Sequence, residues 1–295
     1  MMQTRKFRNA VRRGFTLVEI LVATAIMVIM VGIVIQITAE VLNVWNRSSG
    51  KLSANAQARI ALELMTQDME TAVLRNNGQQ WLRVEGPVTV TGPDNYASQT
   101  VAVKLFSPAL DREEGPGDIC AIAYRLEFKE SYDGGPNVYA LYRAIETPEE
   151  TFDDLMGSPS DDPSPQERLD GTKLDGNDFW EANSILDTEN FLAANIVDFR
   201  VIVYTEDPSD PSKVIPVNVN ESTLAVEGNY FFGGDDATSS RPPVYVDIIL
   251  TVLSDEGVQQ LENVGRSGVA GTAEDVIREH GEIFTRRVNF LARPL

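Results

Sequence analysis

The sequence predicts an α+β protein in which one long N-terminal helix is followed by antiparallel strands. No proline occurs before Pro87, as expected for a long helix, because proline removes a hydrogen bond from a helix interior. An apolar run extends from Phe15 to Ile37. From Trp81 onward, short apolar stretches alternate with turn residues, as strands do. A helix first and antiparallel strands later are typical of α+β domains.

The apolar run is long enough to cross a membrane. Twenty-three residues of helix span about 35 Å, against a hydrocarbon core of about 30 Å. Residues 1–14 carry five basic side chains and no acid. The positive-inside rule therefore places residues 1–14 in the cytoplasm, residues 15–37 in the membrane and the large remainder outside the inner membrane.

Residues 38–78 are predicted to continue the helix with an amphipathic pattern. Apolar residues recur four positions apart; they include Ile60 and Leu64, and Ala61, Met65 and Met69. This apolar face is expected to pack on the sheet that follows. The triplet 48–50 (Ser-Ser-Gly) is a candidate bend or interruption, and the triplet 76–78 (Asn-Asn-Gly) predicts the end of the helix.

Residues 79–295 are predicted to form a β-rich domain. The candidate strands are 81–91, 101–106, 119–129, 137–145, 196–204, 244–253 and 284–291. The clearest alternation lies in 244–253, where five apolar residues share one face: Val244, Val246, Ile248, Leu250 and Val252. Asp133-Gly134-Gly135, between two of the candidates, predicts a hairpin.

Three stretches interrupt the predicted strands. Residues 146–181 contain twelve acids and four prolines, a composition that favours a solvated acidic loop. Residues 205–243 are predicted to be irregular. Residues 254–283 are rich in glycine, with a short helix expected around Glu274–Glu279.

Charge is distributed unevenly along the chain. The formal net charge is −19, and because residues 1–14 contribute +5, the remainder carries −24. Such an acidic body repels nucleic acid, so no nucleic-acid partner is expected. The acidity is more simply explained by solubility.

No set of residues predicts an enzyme, and no cofactor is expected. The single cysteine, Cys120, excludes an internal disulfide and lies on an apolar strand face with Ile122 and Tyr124, so a structural thiol is expected. The single histidine, His280, lies among charged residues and is expected to be a solvated loop or helix-end residue. Phosphate-binding loops, nucleophile elbows and zinc-binding helix motifs do not occur in the sequence.

One acidic stretch is a candidate for metal binding. Asp170, Asp175 and Asp178 supply hard oxygen ligands from one loop, which suits calcium. Their spacing does not match the D-x-[DN]-x-[DN]-G pattern. A solvated acidic loop is therefore favoured over a calcium site, and no metal site is predicted.

The stretch "RRGFTLVEILVATAI", which begins at Arg12, resembles the signal of type IV prepilins and of type II secretion pseudopilins. The family pattern is a basic leader ending in glycine, here Arg12-Arg13-Gly14, and then Phe, Thr, Leu, an apolar residue and Glu. The resemblance implies a pilin-like fold. It also implies that a prepilin peptidase cuts between Gly14 and Phe15 and methylates the new amine of Phe15.

Glu19 needs a physical explanation, because a carboxylate at membrane depth costs about 2.5–3.5 kcal/mol or more. If the chain is a prepilin, as the resemblance implies, Glu19 of one subunit faces the cationic Phe15 amine of its neighbour in a helix bundle. Attraction at low dielectric then offsets the cost of two buried charges. Glu19 is accordingly predicted to act as an assembly switch and not as a catalyst.

Within this superfamily, the later part of the chain resembles the J-type minor pseudopilin. Four pieces occur in the corresponding order: "YRLEFKE…NVYALYRAI", "IVDFRVIVY", "RPPVYVDIILTVLSDEG" and "FTRRVNFL". The K-type subunit usually lacks the acid that this chain has at Glu19 and carries a large helical insert. The resemblance implies I-type and K-type minor pseudopilins, the major pseudopilin, the prepilin peptidase, an inner-membrane platform and the lipid bilayer as partners.

Two other interpretations remain open from the sequence. The protein can be a minor pilin of a type IV pilus that serves adhesion or DNA uptake, although the acidic body disfavours the latter. It can also be a stand-alone, prepilin-anchored binding protein outside the inner membrane, whose acidic insert recognises a ligand.

Overall fold

The computed structural model describes residues 16–76, 80–92, 97–108, 118–130, 134, 137–156, 169, 179–233, 241–264 and 271–291. Contacts divide the chain into two units, Met1–Ser49 and Gly50–Leu295. Of the first unit, the structure describes the start of one helix. The second unit contains the end of that helix and all of the described strands.

The elements follow the order that the sequence predicts, with one long helix before ten strands in the described part of the chain. The helices are α1 (Leu17–Glu70), α2 (Pro148–Glu150), α3 (Ala182–Ile185), α4 (Asp255–Asn263) and α5 (Ala273–His280), with a π-helical turn at Thr151–Leu155 and a 3-10 turn at Thr188–Asn190. The strands are β1 (Leu82–Thr91), β2 (Ala97–Ser107), β3 (Cys120–Glu130), β4 (Asn137–Ile145), β5 (Phe191–Ala194), β6 (Ile196–Asp207), β7 (Asp210–Pro216), β8 (Tyr230–Phe232), β9 (Pro243–Leu253) and β10 (Gly281–Asn289).

The strands form two antiparallel sheets. Six strands pair in the order β5-β4-β3-β2-β1-β8, and four pair in the order β10-β9-β6-β7. The predicted hairpin is confirmed: β3 and β4 pair from Glu130↔Asn137 inward. Gly134 in its turn has a φ of 73°, a backbone conformation that glycine adopts without steric cost.

Residues 50–70 of α1 pack on both sheets through small side chains. Ala54, Ala58 and Ala61 are buried, followed by Met65 and Met69. All five belong to one apolar core that also contains the inner faces of both sheets. Alanines let the helix backbone approach the strands closely, and the two methionines adapt to the space that remains. The predicted α+β class, with a long helix packed on antiparallel sheets, is confirmed.

The apolar stripe of this helix differs in detail from the predicted one. Ala61, Met65 and Met69 face the core, but Ile60 remains 58% exposed and Leu64 is only half-buried. The two i, i+4 series are one residue apart, about 100° around the helix. The core therefore covers the alanine–methionine series, and the other faces outward.

Helix α1 also ends earlier than predicted. Its last residue is Glu70, because the backbone N–H of Val73 donates to Phe106 O of β2 at 2.8 Å. The hydroxyls of Thr71 and Ser107 also lie within hydrogen-bond distance, at 2.7 Å. The triplet 48–50 lies inside α1 and does not interrupt it.

A buried ion pair fastens the end of α1 to the six-stranded sheet. Asp68 is 2% exposed, and Arg143 of β4 donates to its two carboxylate oxygens, each at 2.9 Å. Arg143 Nε also lies 2.9 Å from the hydroxyl of Tyr124 on β3, which donates to Asp68 in turn. The bidentate geometry and the third hydrogen bond satisfy two charges that would otherwise be costly to bury.

The described parts of 146–181 are anchored, in contrast to the solvated loop that the composition predicts. Leu155, Leu169 and Trp180 are buried against the outer face of the six-stranded sheet. That face is lined by alanines of β3 and β4 and by Phe106, whose ring meets the ring of Trp180 edge-on at 5.6 Å. The small alanines of the strands leave room for large side chains of the acidic segment. The composition of that segment does not reveal this packing.

A buried lysine supports the same face. Lys104 Nζ donates to Leu169 O at 2.8 Å and lies 3.2 Å from Glu85 Oε1. Burial lowers the pKa of Lys104, and the Glu85 carboxylate opposes that shift. Lys104 therefore joins the sheet to one anchor of the acidic segment.

Several short elements lie in the stretches that interrupt the predicted strands. Strands β7 and β8 fall within 205–243, and α4 begins at Asp255 after the N-cap Ser254, whose hydroxyl accepts from Gly257 N. The short helix expected around Glu274–Glu279 is confirmed as α5, with a capping box between Thr272 and Asp275.

We predict that Asp68→Ala lowers the free energy of unfolding by about 3–5 kcal/mol, because it leaves Arg143 buried without its counterion. Urea unfolding of the full chain in detergent measures this. The control is Glu63→Ala on the same helix, whose exposed pair with Arg286 has an N–O distance of 3.7 Å and should contribute less than about 1 kcal/mol. Equal losses in the two variants would contradict the prediction.

A second prediction concerns alkaline pH. Burial, and next the Asp68 carboxylate, raise the pKa of Tyr124 well above its ordinary value. The unfolded chain therefore loses this proton at a pH where the folded chain keeps it, and the free energy of unfolding falls above about pH 10. Tyr124→Phe should reduce that fall by about 1.4 kcal/mol per pH unit. Unfolding curves measured between about pH 9 and pH 11 would contradict this if both proteins lost stability in parallel.

Candidate functional site

The first part of helix α1 has no covering from the described part of the chain. Every residue from Thr16 to Trp45 is exposed, and most are large and apolar, such as Leu21, Ile29 and Ile33. The helix is long and apolar enough to cross a bilayer. Exposed apolar area on this scale requires lipid or other apolar helices around it.

Hydroxyl groups inside this apolar stretch are satisfied by the helix itself. Thr24 Oγ1 donates to Leu21 O at 2.9 Å, and Thr38 Oγ1 donates to Val34 O at 2.8 Å. These bonds remove two of the polar groups that would resist transfer into lipid. Glu19, Gln36 and Glu40 remain as side chains that the described helix does not satisfy.

Glu19 lies in the first turn of α1. Its backbone N–H donates to Thr16 Oγ1 at 3.3 Å, so Thr16 caps the helix that follows it. The spacing is that of a capping box, Thr-x-x-Glu. The positive end of the helix dipole stabilises a carboxylate here by about 0.3–1 kcal/mol, less than its cost at membrane depth. Among the described residues, the Glu19 carboxylate has no ion-pair or hydrogen-bond partner.

The uncovered surface extends beyond the predicted span of residues 15–37. Val44 is 64% exposed and Trp45 is 70% exposed. Tryptophan favours the boundary between lipid and water, because its ring is apolar while its N–H needs a partner. Trp45 therefore marks the upper end of the uncovered apolar stretch. The sequence contains this signal, but the predicted span of residues 15–37 leaves it out.

The other predicted site residues divide into two groups. Arg12, Arg13, Gly14 and Phe15, and the calcium candidates Asp170, Asp175 and Asp178, lie outside the described residues. Cys120 is buried in the core on β3, as predicted.

His280 is a helix-end residue, but it is not solvated. It ends α5, and its Nε2 is buried without a hydrogen-bond partner among the residues that the structure describes. Its Cβ would lie 2.6 Å from a Cβ at position 257, so glycine is required there. Within the described ranges, no cluster of His, Cys, Asp and Glu could hold a metal ion.

Comparison with known proteins bears on the uncovered helix. Residues 9–35 match the family described as the prokaryotic N-terminal methylation motif. The chain carries a prepilin-type methylation signal. Among solved structures, the chain is similar to a type IV-like pilin from Thermus thermophilus, with 13% identity, a TM-score of 0.33, and coverage of 81% of this chain and 98% of that one. No curated protein matches the chain.

We predict that the stretch between Thr16 and Trp45 holds the full chain in the membrane. Ile29→Lys combined with Ile33→Lys places two charges on one side of the apolar helix, at a cost of about 2.5–3.5 kcal/mol each. The double variant should be released by alkaline carbonate. The control is Ile60→Lys, which alters an exposed isoleucine of the second unit and should leave the protein in the membrane fraction. Retention of the double variant would contradict the prediction.

Proposed function

We propose that this protein is a minor pseudopilin of the J type, a structural subunit that primes assembly of a type II secretion pseudopilus. The observation that carries the proposal is the methylation motif at residues 9–35, of which residues 16–35 lie in the uncovered apolar stretch. A helix of this kind gains most by packing beside others like it.

The motif defines the processing that we propose. A prepilin peptidase cuts between Gly14 and Phe15 and methylates the new amine of Phe15, while Arg12 and Arg13 belong to the leader that is removed. Thr16, the helix cap, then becomes the second residue of the mature chain, so α1 begins almost at the new N-terminus. The amine stays cationic after one methylation.

Assembly then depends on a difference between two environments of Glu19. In lipid, its carboxylate has only the helix end to stabilise it. Beside a neighbouring subunit, it faces that subunit's N-terminal amine, and the two buried charges attract strongly at low dielectric. A subunit is therefore favoured in the bundle over the dispersed state, with Glu19 as the group that senses the neighbour.

The subunit's location follows from its charge pattern. We place residues 1–14 in the cytoplasm, residues 15–37 across the inner membrane and the acidic body in the periplasm. Partners in this scheme are the peptidase, the inner-membrane platform, the I-type and K-type minor pseudopilins and the major pseudopilin. The protein catalyses no reaction in this role, and it contributes binding free energy to assembly.

The positions of the four resembling pieces support the J-type assignment within the superfamily. The four resembling pieces fall on β3–β4, on β6, on β9 and on β10, all of them paired strands in the two sheets. The Tyr142-Arg143 pair near the end of the first piece supplies the guanidinium of the buried ion pair with Asp68. The resembling residues are thus part of the body's framework.

We predict that Glu19→Val is processed normally but fails to assemble. Intact mass spectrometry should show a mature chain that begins at methylated Phe15 for both wild type and variant. Co-purification with the other prepilin-type subunits should fall by about tenfold or more, as expected when one buried ion pair loses a partner. Glu40→Gln, at an exposed acid of the same helix, is the control. Assembly of Glu19→Val at the wild-type level would reject the switch.

A further inference from the structure

The four-stranded sheet carries a cluster of polar and aromatic side chains outside the proposed membrane helix, one of which, Tyr204, also packs against the core. It consists of Tyr204 on β6, Tyr245 and Asp247 on β9, and Arg287 on β10, which we call the Arg287 platform. Strand alternation places it away from the helix: Arg286 pairs with Glu63 of α1, so Arg287, the next residue, points to the opposite face.

The platform holds its arginine in one orientation. Arg287 Nε and Nη2 donate to the two carboxylate oxygens of Asp247, each at 2.8 Å. The guanidinium carbon lies 4.1 Å from the ring centroid of Tyr245 and 5.8 Å from that of Tyr204. The two rings are stacked, with centroids 4.5 Å apart. Bidentate pairing and stacking together fix a side chain that is normally mobile.

The arginine is fixed without being covered. The Arg287 side chain is 55% exposed, whereas that of Asp247 is 12% exposed. Its Nη1 group has no acceptor among the described residues. The buried Arg143, by comparison, is 7% exposed and directs its guanidinium into the core. The free Nη1 edge of Arg287 can therefore bind a further acceptor.

An apolar surface adjoins the platform on the same face of β10. Ile283 is 65% exposed, and the exposed Thr285 separates it from Arg287. Ile249 lies opposite Thr285 on β9 and is half-buried. Tyrosine and arginine beside exposed aliphatic groups are the composition of protein-binding hot spots.

We propose that the Arg287 platform and Ile283 bind an acidic segment of a neighbouring prepilin-type subunit, with a carboxylate on Arg287 and an apolar side chain beside Ile283. The proposal rests on the proposed function, because it assumes that the body lies next to other subunits. A carboxylate fits because the free edge of the guanidinium offers parallel N–H donors. The preformed orientation lowers the entropy lost on binding.

Charge favours a protein partner over a lipid surface. The chain after residue 14 carries −24, so anionic membranes repel the body as a whole. On the outward face of β10, the residues Ile283, Thr285, Arg287 and Asn289 include no acid. The fixed Arg287 guanidinium, the one base among these four residues, suits one matching carboxylate better than a sheet of phosphates.

The test uses the full chain in its native cells, with a photo-crosslinking amino acid at Thr285. A second version carries the crosslinker at Ile26, on the uncovered part of α1, and reports the helix bundle. We expect the Thr285 probe to join another protein with a prepilin-type signal, at a position next to an Asp or Glu, as identified by mass spectrometry.

Matched variants separate binding from folding. Arg287→Gln should lower the Thr285 crosslink by about tenfold. Arg278→Gln, which removes an exposed arginine of α5 paired with Asp275, should leave it unchanged. Ile283→Ser keeps Arg287 in place and should also lower the yield. If Arg287→Gln lowers the melting temperature, the crosslink yield of Ile283→Ser decides whether the platform binds a partner.

The outcomes distinguish this inference from the proposed function. Crosslinks from Ile26 without any from Thr285 overturn the platform's role and leave the helix bundle standing. Absence of crosslinks from both positions overturns the proposed function as well. A Thr285 adduct with lipid, with a second copy of this chain or with a protein lacking the prepilin signal overturns the inference, as does a yield that Arg287→Gln does not change.

Discussion

The uncovered apolar surface of α1 between Thr16 and Trp45 is the constraint on which the proposed role in assembly depends. The described part of the chain covers none of it, and water is an unfavourable environment for so much apolar area. Lipid satisfies the aliphatic residues but leaves Glu19 without a partner. In the function that we propose, a bundle of similar helices satisfies both, and Glu19 contributes to assembly by pairing with a neighbour's amine.

The second part of the same helix, residues 50–70, instead packs against the body of the protein. Its alanines and methionines lie under two sheets, and Asp68 is held by Arg143 and Tyr124. An isolated buried ion pair often contributes little net stability, but removing one partner is costly. This pair therefore specifies which turn of α1 meets β3 and β4. The body is fixed to residues 50–70 of the helix, while its own exposed face, including Arg287, remains available for neighbours.

The sequence predicted what depends on local pattern. The apolar run, the helix of residues 15–78 in outline, the β3–β4 hairpin and the strand at 244–253 all followed from periodicity and turn residues. The prediction of the core face of α1 was only half right. Two apolar series one residue apart have the same spacing in the sequence, and only the folded structure shows that the sheets cover the series that begins with alanine. The anchors Leu155, Leu169 and Trp180 were missed because acids dominate their segment. The Arg287 platform depends on which residues lie opposite each other in β6, β9 and β10, and that register is a tertiary property.

The most direct test of the account is to ask what Glu19 touches in the assembled state. A membrane-permeant carbodiimide activates buried carboxylates and joins them to an amine in direct contact, without a spacer. In assemblies isolated from cells, we expect an amide between the Glu19 carboxylate and the N-terminal amine of a different subunit, and none in the dispersed protein in detergent. Glu19 that remains unmodified in the assembly, or that joins the amine of its own Phe15, would contradict the claim that a neighbour's charge holds this helix in place.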